Sequence, residues 1–418
     1  MTTSKAIGRI DSLTPEQELV LKQVWAQLLT YWGKTVEFPT VNLSSAKLSK
    51  TTSHASHHSA GKEKKKRFAR FRSAPKHTDT AKNTNTLDPK LIPGIVTGLK
   101  PEDVERQFWE MLRIDSPDNL VLRFVRARKF DLKNAVTMIA NTFNWRLAES
   151  FADKVFLEGD YVAYQEKNMP GLIKQFELGK SIITGTDKEG RPVVVVRTRL
   201  HKPSDQNAEE MLKYTILVIE YARCFLMEPV DTCSVIFDLT DFSLSNMDNA
   251  PVKLLISAFE AHYPESLGIL LIHKAPWVFS SIWNVIKTWL DPVVASKIHF
   301  TKTFDDLTEH IDADNILEEM GGNNKFHYKY VTPGTSDNFI QNPEERAVLE
   351  KERANLASQF IEATTKWIEA TDLEASNAFL SQKIVLGQKM AANFVALDKY
   401  KRYRGVYERL GLLDVKSG

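Results

Sequence analysis

HYPESLGILLIHKAPWVFSSIWNVIKTWLDPVVASKIHF, residues 262 to 300, decides the fold. Ile269, Leu270, Leu271 and Ile272 form an apolar run without polar alternation, the pattern of a strand covered on both faces. Pro276 follows where a helix can begin, because the first helical N–H groups have no intrahelical partner to lose. Trp277, Phe279, Ile282, Trp283, Ile286, Trp289 and Leu290 then crowd together with charge only at Lys287, so no single face holds all three tryptophans and leaves a polar side. A helix apolar all round is either buried between two layers or a lid over an apolar cavity that meets lipid when it swings open. Ile298 to Phe300 supplies the next strand, giving strand, gate helix and strand.

Upstream, Ser181 to Thr198 reads as a hairpin with Asp187-Lys188-Glu189-Gly190 at its tip and Val193 to Val196 as a fully buried strand. A helix around Glu209 to Phe225, a strand Ser234 to Leu239, a helix Asn249 to His262 and the strand Gly268 to His273 follow. Right-handed crossovers make such a βαβ run a largely parallel sheet with helices against it. FDDLTEHI predicts a short helix before the Gly321-Gly322 stop. Pro101 to about Ala152 is helical: Ser116-Pro117 opens one helix, and Asp131 caps another whose core face is Leu132, Ala135, Val136, Ile139 and Phe143. Thr14-Pro15-Glu16-Gln17 starts a helix that should dock through Leu21, Val24, Trp25, Leu28 and Trp32. Asn342-Pro343-Glu344-Glu345 starts long amphipathic helices reaching about Leu410, whose Phe360, Trp367, Phe379 and Phe394 call for a packing partner.

The net charge of +2 hides a boundary: Val41 to Lys90 carries nine Lys and three Arg against Glu63, Asp79 and Asp88, or +9, leaving −7 elsewhere. From about Lys34 to Asp88 the chain has hardly any apolar periodicity to offset the entropy of ordering it, which predicts a disordered linker. Within it, GKEKKKRFARFR (61–72) sets seven cations around Phe68 and Phe71. Such a tract is a solvated charge run, a contact for an anionic membrane, where each cation contributes on the order of 1 kcal/mol, or an import or nucleic-acid signal. His54, His57 and His58 lack the cysteines or carboxylates that would complete a metal site. Two cysteines, Cys224 and Cys233, with no secretory signal and no long apolar run, point to a reducing compartment and peripheral membrane contact at most.

Catalytic motifs are missing. Leu178-Gly179-Lys180-Ser181 mimics the end of a phosphate-binding loop, but Lys174 stands where its first glycine belongs. Asp238 and His262 occupy positions where catalysis is conceivable, although a strand-end Asp commonly caps a turn and a lone His is usually a satisfied neighbour.

HYPESLG, HKAP, WLDPVVASKI and the upstream LVLRFVRARKFDL resemble, in identity and order, the fungal phosphatidylinositol transfer proteins of the CRAL-TRIO family, from about Asp118 to Asn323. The flanks resemble a longer fungal subgroup with N- and C-terminal extensions. The resemblance implies an α/β CRAL-TRIO lipid-binding fold: a mixed, mostly parallel sheet with a gate helix over an apolar cavity, an N-terminal helical domain and C-terminal helices. The expected divisions are an N-terminal helix (1–33), a basic linker (34–90), the helical domain (91–155), the lipid-binding domain (156–325) and a C-terminal helical extension (342–414). Such a carrier has a physical task. Bringing a two-chain lipid into water exposes about thirty methylenes at roughly 0.8 kcal/mol each, a barrier above ~20 kcal/mol that a closed cavity removes.

By resemblance, the inositol headgroup belongs to Arg128, Lys129, Glu265 and Lys297, with Val294 replacing a family threonine at the loss of one hydrogen bond, about 1 kcal/mol. Where relatives line a phosphocholine with hydroxyls, this chain has Ile183, Val194, Cys233 and Val235, with Tyr221 still hydroxylated. The pocket implied is for phosphatidylinositol and, in place of phosphatidylcholine, an apolar neutral lipid of sterol or isoprenoid type. The same reading expects no cofactor, no metal, no nucleic acid and no enzyme activity. It expects a cytoplasmic monomer that meets endosome, endoplasmic reticulum or lipid-droplet membranes reversibly. The alternatives are a non-transferring sensor that regulates a phosphoinositide kinase or signalling partner, and an enzyme acting on the bound lipid.

Overall fold

Five strands lie side by side in chain order: β1 (Ser181–Thr186), β2 (Pro192–Arg197), β3 (Cys233–Asp238), β4 (Leu267–His273) and β5 (Ile298–Thr301). In this computed structural model, which describes residues 8–38 and 87–414, β1 and β2 form an antiparallel hairpin and β2 to β5 run parallel. Asp187 fixes the hairpin tip: Oδ1 accepts the Glu189 and Arg191 N–H groups at 2.9 Å, and Oδ2 pairs with Arg191 Nε at 2.6 Å. The register aligns Ile183, Val194, Val235, Leu270 and Ile298 in one row across the sheet. On the opposite face Ile182, Val195, Ile236 and Leu271 pack against Leu307, Ile311 and Met320. The apolar runs are therefore covered on both sides, as their lack of alternation requires.

Helices surround this sheet: α1 (Pro15–Tyr31), α2 (Pro101–Met111), α3 (Pro117–Ala127), α4 (Leu132–Asn144), α5 (Ala152–Glu166), α6 (Pro170–Glu177) and α7 (Ala208–Cys224), then α8 (Asn249–Ser257), α9 (Phe279–Ile286), α10 (Pro292–Ala295), α11 (Phe304–Thr308), α12 (Pro343–Glu369), α13 (Leu373–Lys401) and α14 (Val406–Arg409). The caps read from sequence are made. Thr14 Oγ1 accepts from Gln17 N–H at 3.3 Å while Gln17 Oε1 accepts from Thr14 N–H at 3.0 Å, and Ser116, Asp131 and Asn342 each accept the N–H three residues on. Leu21, Val24, Trp25, Leu28 and Trp32 of α1 share one core with Phe108, Phe143, Phe360 and Trp367, so the C-terminal helices pack on the N-terminal ones. Asp118 ties them together: it accepts from Trp25 Nε1 and from the fully buried Lys383 Nζ, each at 2.8 Å.

The gate segment corrects one expectation. α9 spans Phe279–Ile286, shorter than Trp277 to Leu290, because i→i+3 bonds from Phe279 and Ser280 N–H to Pro276 and Trp277 oxygens, and from Thr288 and Trp289 N–H to Val285 and Ile286 oxygens, tighten both ends into turns. Trp277 thus precedes the helix and Trp289 follows it, and Ser280, Ser281, Asn284, Lys287 and Thr288 give the segment an exposed polar side, contrary to the expectation of a helix apolar all round. Residues 61–72, the three linker histidines and residues 39–86 as a whole lie outside the described residues.

A buried charge network joins α7 to the helical elements before it and to Tyr263, ahead of β4. Glu220 of α7, with no exposed side chain, receives Arg146 Nη2 at 2.9 Å, Arg113 Nε at 3.1 Å, Arg223 Nη1 at 3.0 Å and the Tyr263 hydroxyl at 2.8 Å. Asp153 takes both Arg146 and Arg113. Burial pushes the Glu220 carboxyl up, but Arg113, Arg146 and Arg223 overcome it and hold the group down at about 2. An unfolded Glu titrates near ~4.3. The stabilisation is therefore complete above that value and lost as pH falls through about 2. Glu220→Gln should cost about 3 kcal/mol at pH 7, because Arg113, Arg146 and Arg223 each lose one of two carboxylate partners and keep only Asp153 or Asp115. Melting temperatures followed from pH 5 to pH 2 should fall less steeply for that variant than for the unmodified chain.

Candidate functional site

A cavity of about 590 Å³ opens between the sheet, α7, α8 and α9. Val194, Val235 and Leu270 of the aligned row form its floor, while Met211, Val218 and Ile219 of α7 and Leu255 and Phe259 of the α8 segment form its sides. Phe279, Trp283, Ile286 and Leu290 close it from the gate segment. Ile282 and Trp289 are half-buried in the adjoining apolar cluster rather than in the cavity wall. Lys253 Nζ lies 4.8 Å from the Trp289 ring centroid. Trp277 is 88% exposed.

Polar groups gather at one mouth, beside the N-terminal ends of β4 and β5. Arg128, Lys129, Glu265, Val294 and Lys297 all line the cavity there. The backbone sets them in place: α3 ends at Arg128, Lys129 and Phe130 turn through φ of 52° and 62°, and Asp131 caps α4. Glu265 also has positive φ, 54°, and its carbonyl accepts from Arg123 Nη1 at 3.0 Å. Lys297 Nζ donates to the Leu267 carbonyl at 2.8 Å and stands 4.0 Å from Glu265 Oε2. Arg126 and Glu260 line the same mouth and were not singled out from sequence.

Of the residues assigned to a second ligand, Val194, Cys233 and Val235 line the cavity. Ile183 and Tyr221 do not, which corrects their assignment. Both are fully buried in a solid core that the end of the chain completes. Tyr407 inserts there, its hydroxyl donating to the Ser181 carbonyl at 3.1 Å and its ring 5.3 Å from that of Tyr221. Arg402, 1% exposed, anchors the segment through Asp398 and Glu408. The opposite end of the cavity carries Lys180, His201 and Asp248, which sequence reasoning missed. Cys233 is an inert wall, since burial pushes its thiol up to about 12. Asp238 accepts from Thr240 and Arg199, and His262 stacks on Trp145 with ring centroids 4.2 Å apart, burial lowering it to about 4. Both are structural partners.

Residues 176–322 match the CRAL/TRIO domain and residues 87–141 the CRAL/TRIO N-terminal domain. The chain is similar to the phosphatidylinositol transfer protein CSR1 of Eremothecium gossypii, at 42% identity over 99% of this chain and all of that one. It is 36% identical to a CRAL-TRIO domain-containing protein of Schizosaccharomyces pombe over 97% of this chain and 92% of that one. It is 32% identical to a SEC14 cytosolic factor of Yarrowia lipolytica over 49% of this chain and 43% of that one.

The wall completed by Tyr407 rests on two glycines that flank the Tyr221 hydroxyl, Gly159 and Gly405. A methyl at position 405 would overlap that hydroxyl, although its φ of −84° suits any residue. Gly405→Ala should therefore destabilise by overpacking alone, about 1–3 kcal/mol, read as a lower melting temperature. A variant melting like the unmodified chain would mean that the tail does not pack against Tyr221.

Proposed function

The chain belongs to the CRAL-TRIO family, and from that premise we propose that it extracts phosphatidylinositol from one membrane and delivers or presents it at another. The observation that carries this reading is the pairing of an apolar cavity with Arg128, Lys129, Glu265 and Lys297 at one mouth. Phosphate takes cations, inositol hydroxyls take a carboxylate and N–H donors, and the acyl chains take the apolar wall. With Val294 in place of a hydroxyl residue, the headgroup is held chiefly by charge. The gate segment opens for exchange, and the exposed Trp277 is suited to enter a lipid surface as it does so.

The second ligand on this reading is an apolar neutral lipid. Val194, Cys233 and Val235 offer a buried phosphocholine no hydroxyl partners, and an unpaired buried polar group costs about 1–3 kcal/mol. The protein acts as a non-enzymatic cytoplasmic monomer that meets membranes peripherally, with residues 61–72 as an anionic-surface contact and a phosphoinositide kinase as a recipient of the presented lipid.

Lys129→Ala with Lys297→Ala should abolish phosphatidylinositol loading at unchanged fold. Charge-assisted bonds to phosphate contribute roughly 1.5–3 kcal/mol each, so the pair should weaken binding by at least about a hundredfold. Copurified lipid measured by mass spectrometry, at matched melting temperature, checks it; normal loading by the double variant would remove these cations from the headgroup site.

A further inference from the structure

The far end of the cavity holds a polar cluster with no role in the headgroup reading. Lys180 precedes β1, His201 follows β2 and Asp248 caps α8, so the three meet at the strand ends opposite Glu265 and Lys297. Lys180, only 5% exposed, puts Nζ 2.9 Å from His201 Nδ1, and His201 Nε2 lies 3.4 Å from Asp248 Oδ2. Nδ1 accepting from the ammonium leaves Nε2 to carry the ring proton toward the carboxylate. An ammonium has three donors. Only the bond to His201 occupies one among the described residues. Neighbouring polar side chains direct their own N–H and O–H groups elsewhere, Thr198 to the Asp238 carbonyl at 2.6 Å, Thr215 to that of Met211 at 2.8 Å and Asn246 to those of Arg199 and His201 at 3.0 Å, and none of the three accepts from Lys180. Unmatched donors against an apolar cavity are costly unless a ligand supplies an acceptor.

Charge decides which acceptor. At the mouth four cations, Arg126, Arg128, Lys129 and Lys297, outnumber the acids Glu260, Glu265 and Asp291 and leave that end positive. At the far end the single ammonium faces both Asp205 and Asp248, while burial and Lys180 itself keep His201 neutral, and burial pushes Lys180 down to about 8. Nothing is left over to neutralise a phosphate or carboxylate.

We propose that Lys180, positioned by His201 and Asp248, binds the uncharged oxygen, hydroxyl or carbonyl, of an otherwise apolar lipid lying in the cavity. The inference rests on the reading of an apolar second ligand and refines it: the lipid enters oxygen-first toward Lys180 and leaves the mouth to the inositol headgroup.

The test is competitive binding to the full chain with matched probes: cholesterol against its 3-deoxy analogue, geranylgeraniol against squalene, a wax ester against a hydrocarbon of equal length, and oleate as the acid. The unmodified protein should prefer the oxygenated member of each fitting pair by about tenfold, the size of one hydrogen bond from a charged donor. Which pair responds separates hydroxyl from ester sources. Lys180→Met should bring the preference to within about twofold, and Lys180→Gln, which keeps an N–H donor without charge, should retain part of it; melting temperatures verify folding. Equal binding of alcohol and hydrocarbon, tighter binding of oleate than of any neutral probe, or a preference that survives Lys180→Met would overturn the oxygen site while sparing the apolar-ligand reading. Binding of none of the probes would overturn both.

Discussion

An apolar cavity is a packing defect that the rest of the chain must offset. A wall that lines a cavity has no protein atoms to touch on one side, and large voids in ordinary cores destabilise by several kcal/mol. Here the dense packing lies around the cavity instead. One core gathers α1, the N-terminal helices and the C-terminal pair, with Trp25, Phe360 and Trp367 at its centre. Another backs the sheet through Leu307, Ile311 and Met320. The charge network around Glu220 ties α7 to Arg113 and Arg146 from within. The gate segment and α8 close the cavity without such backing, and the polar outer side of the gate segment lets it rest against water.

The polar ends follow from strand direction. Parallel strands bring all their starts to one edge, where Glu265 and Lys297 sit, and all their ends to the other, where His201 and Asp248 follow β2 and β3. The hairpin's antiparallel strand then returns Lys180 to that second edge. One sheet thus presents a charged pole and a nearly neutral pole to one apolar space. Left-handed backbone at Lys129, Phe130 and Glu265 marks the charged pole as a place where local conformational preference has yielded to position.

Much of this was legible in the sequence because it is local. Caps at Thr14, Ser116, Asp131 and Asn342, the hairpin around Asp187 and the unbroken aliphatic strands are written in neighbouring residues, and the motifs around RARKF, HYPESLG and ASKI located the mouth. The ends of α9 were misread because apolar crowding does not reveal that Pro276 and Ile286 make i→i+3 bonds. Tyr221 and Ile183 were misassigned because the residue that walls them off, Tyr407, comes from the far end of the chain, and no period in α7 announces it. Lys180 looked like a failed phosphate loop. Its partners lie on two other elements, so only the folded chain brings them to it.

The central claim is that this cavity carries phosphatidylinositol and disfavours a buried phosphocholine. Transfer of labelled phosphatidylinositol and labelled phosphatidylcholine between two vesicle populations, measured side by side with the purified unmodified protein, tests it most directly. The account predicts many rounds of phosphatidylinositol transfer per protein and phosphatidylcholine transfer at least about tenfold slower, as one or two unpaired polar groups require. Equal transfer of both lipids would contradict the reading of Val194, Cys233 and Val235, and tight loading without transfer would make the protein a sensor that holds its lipid.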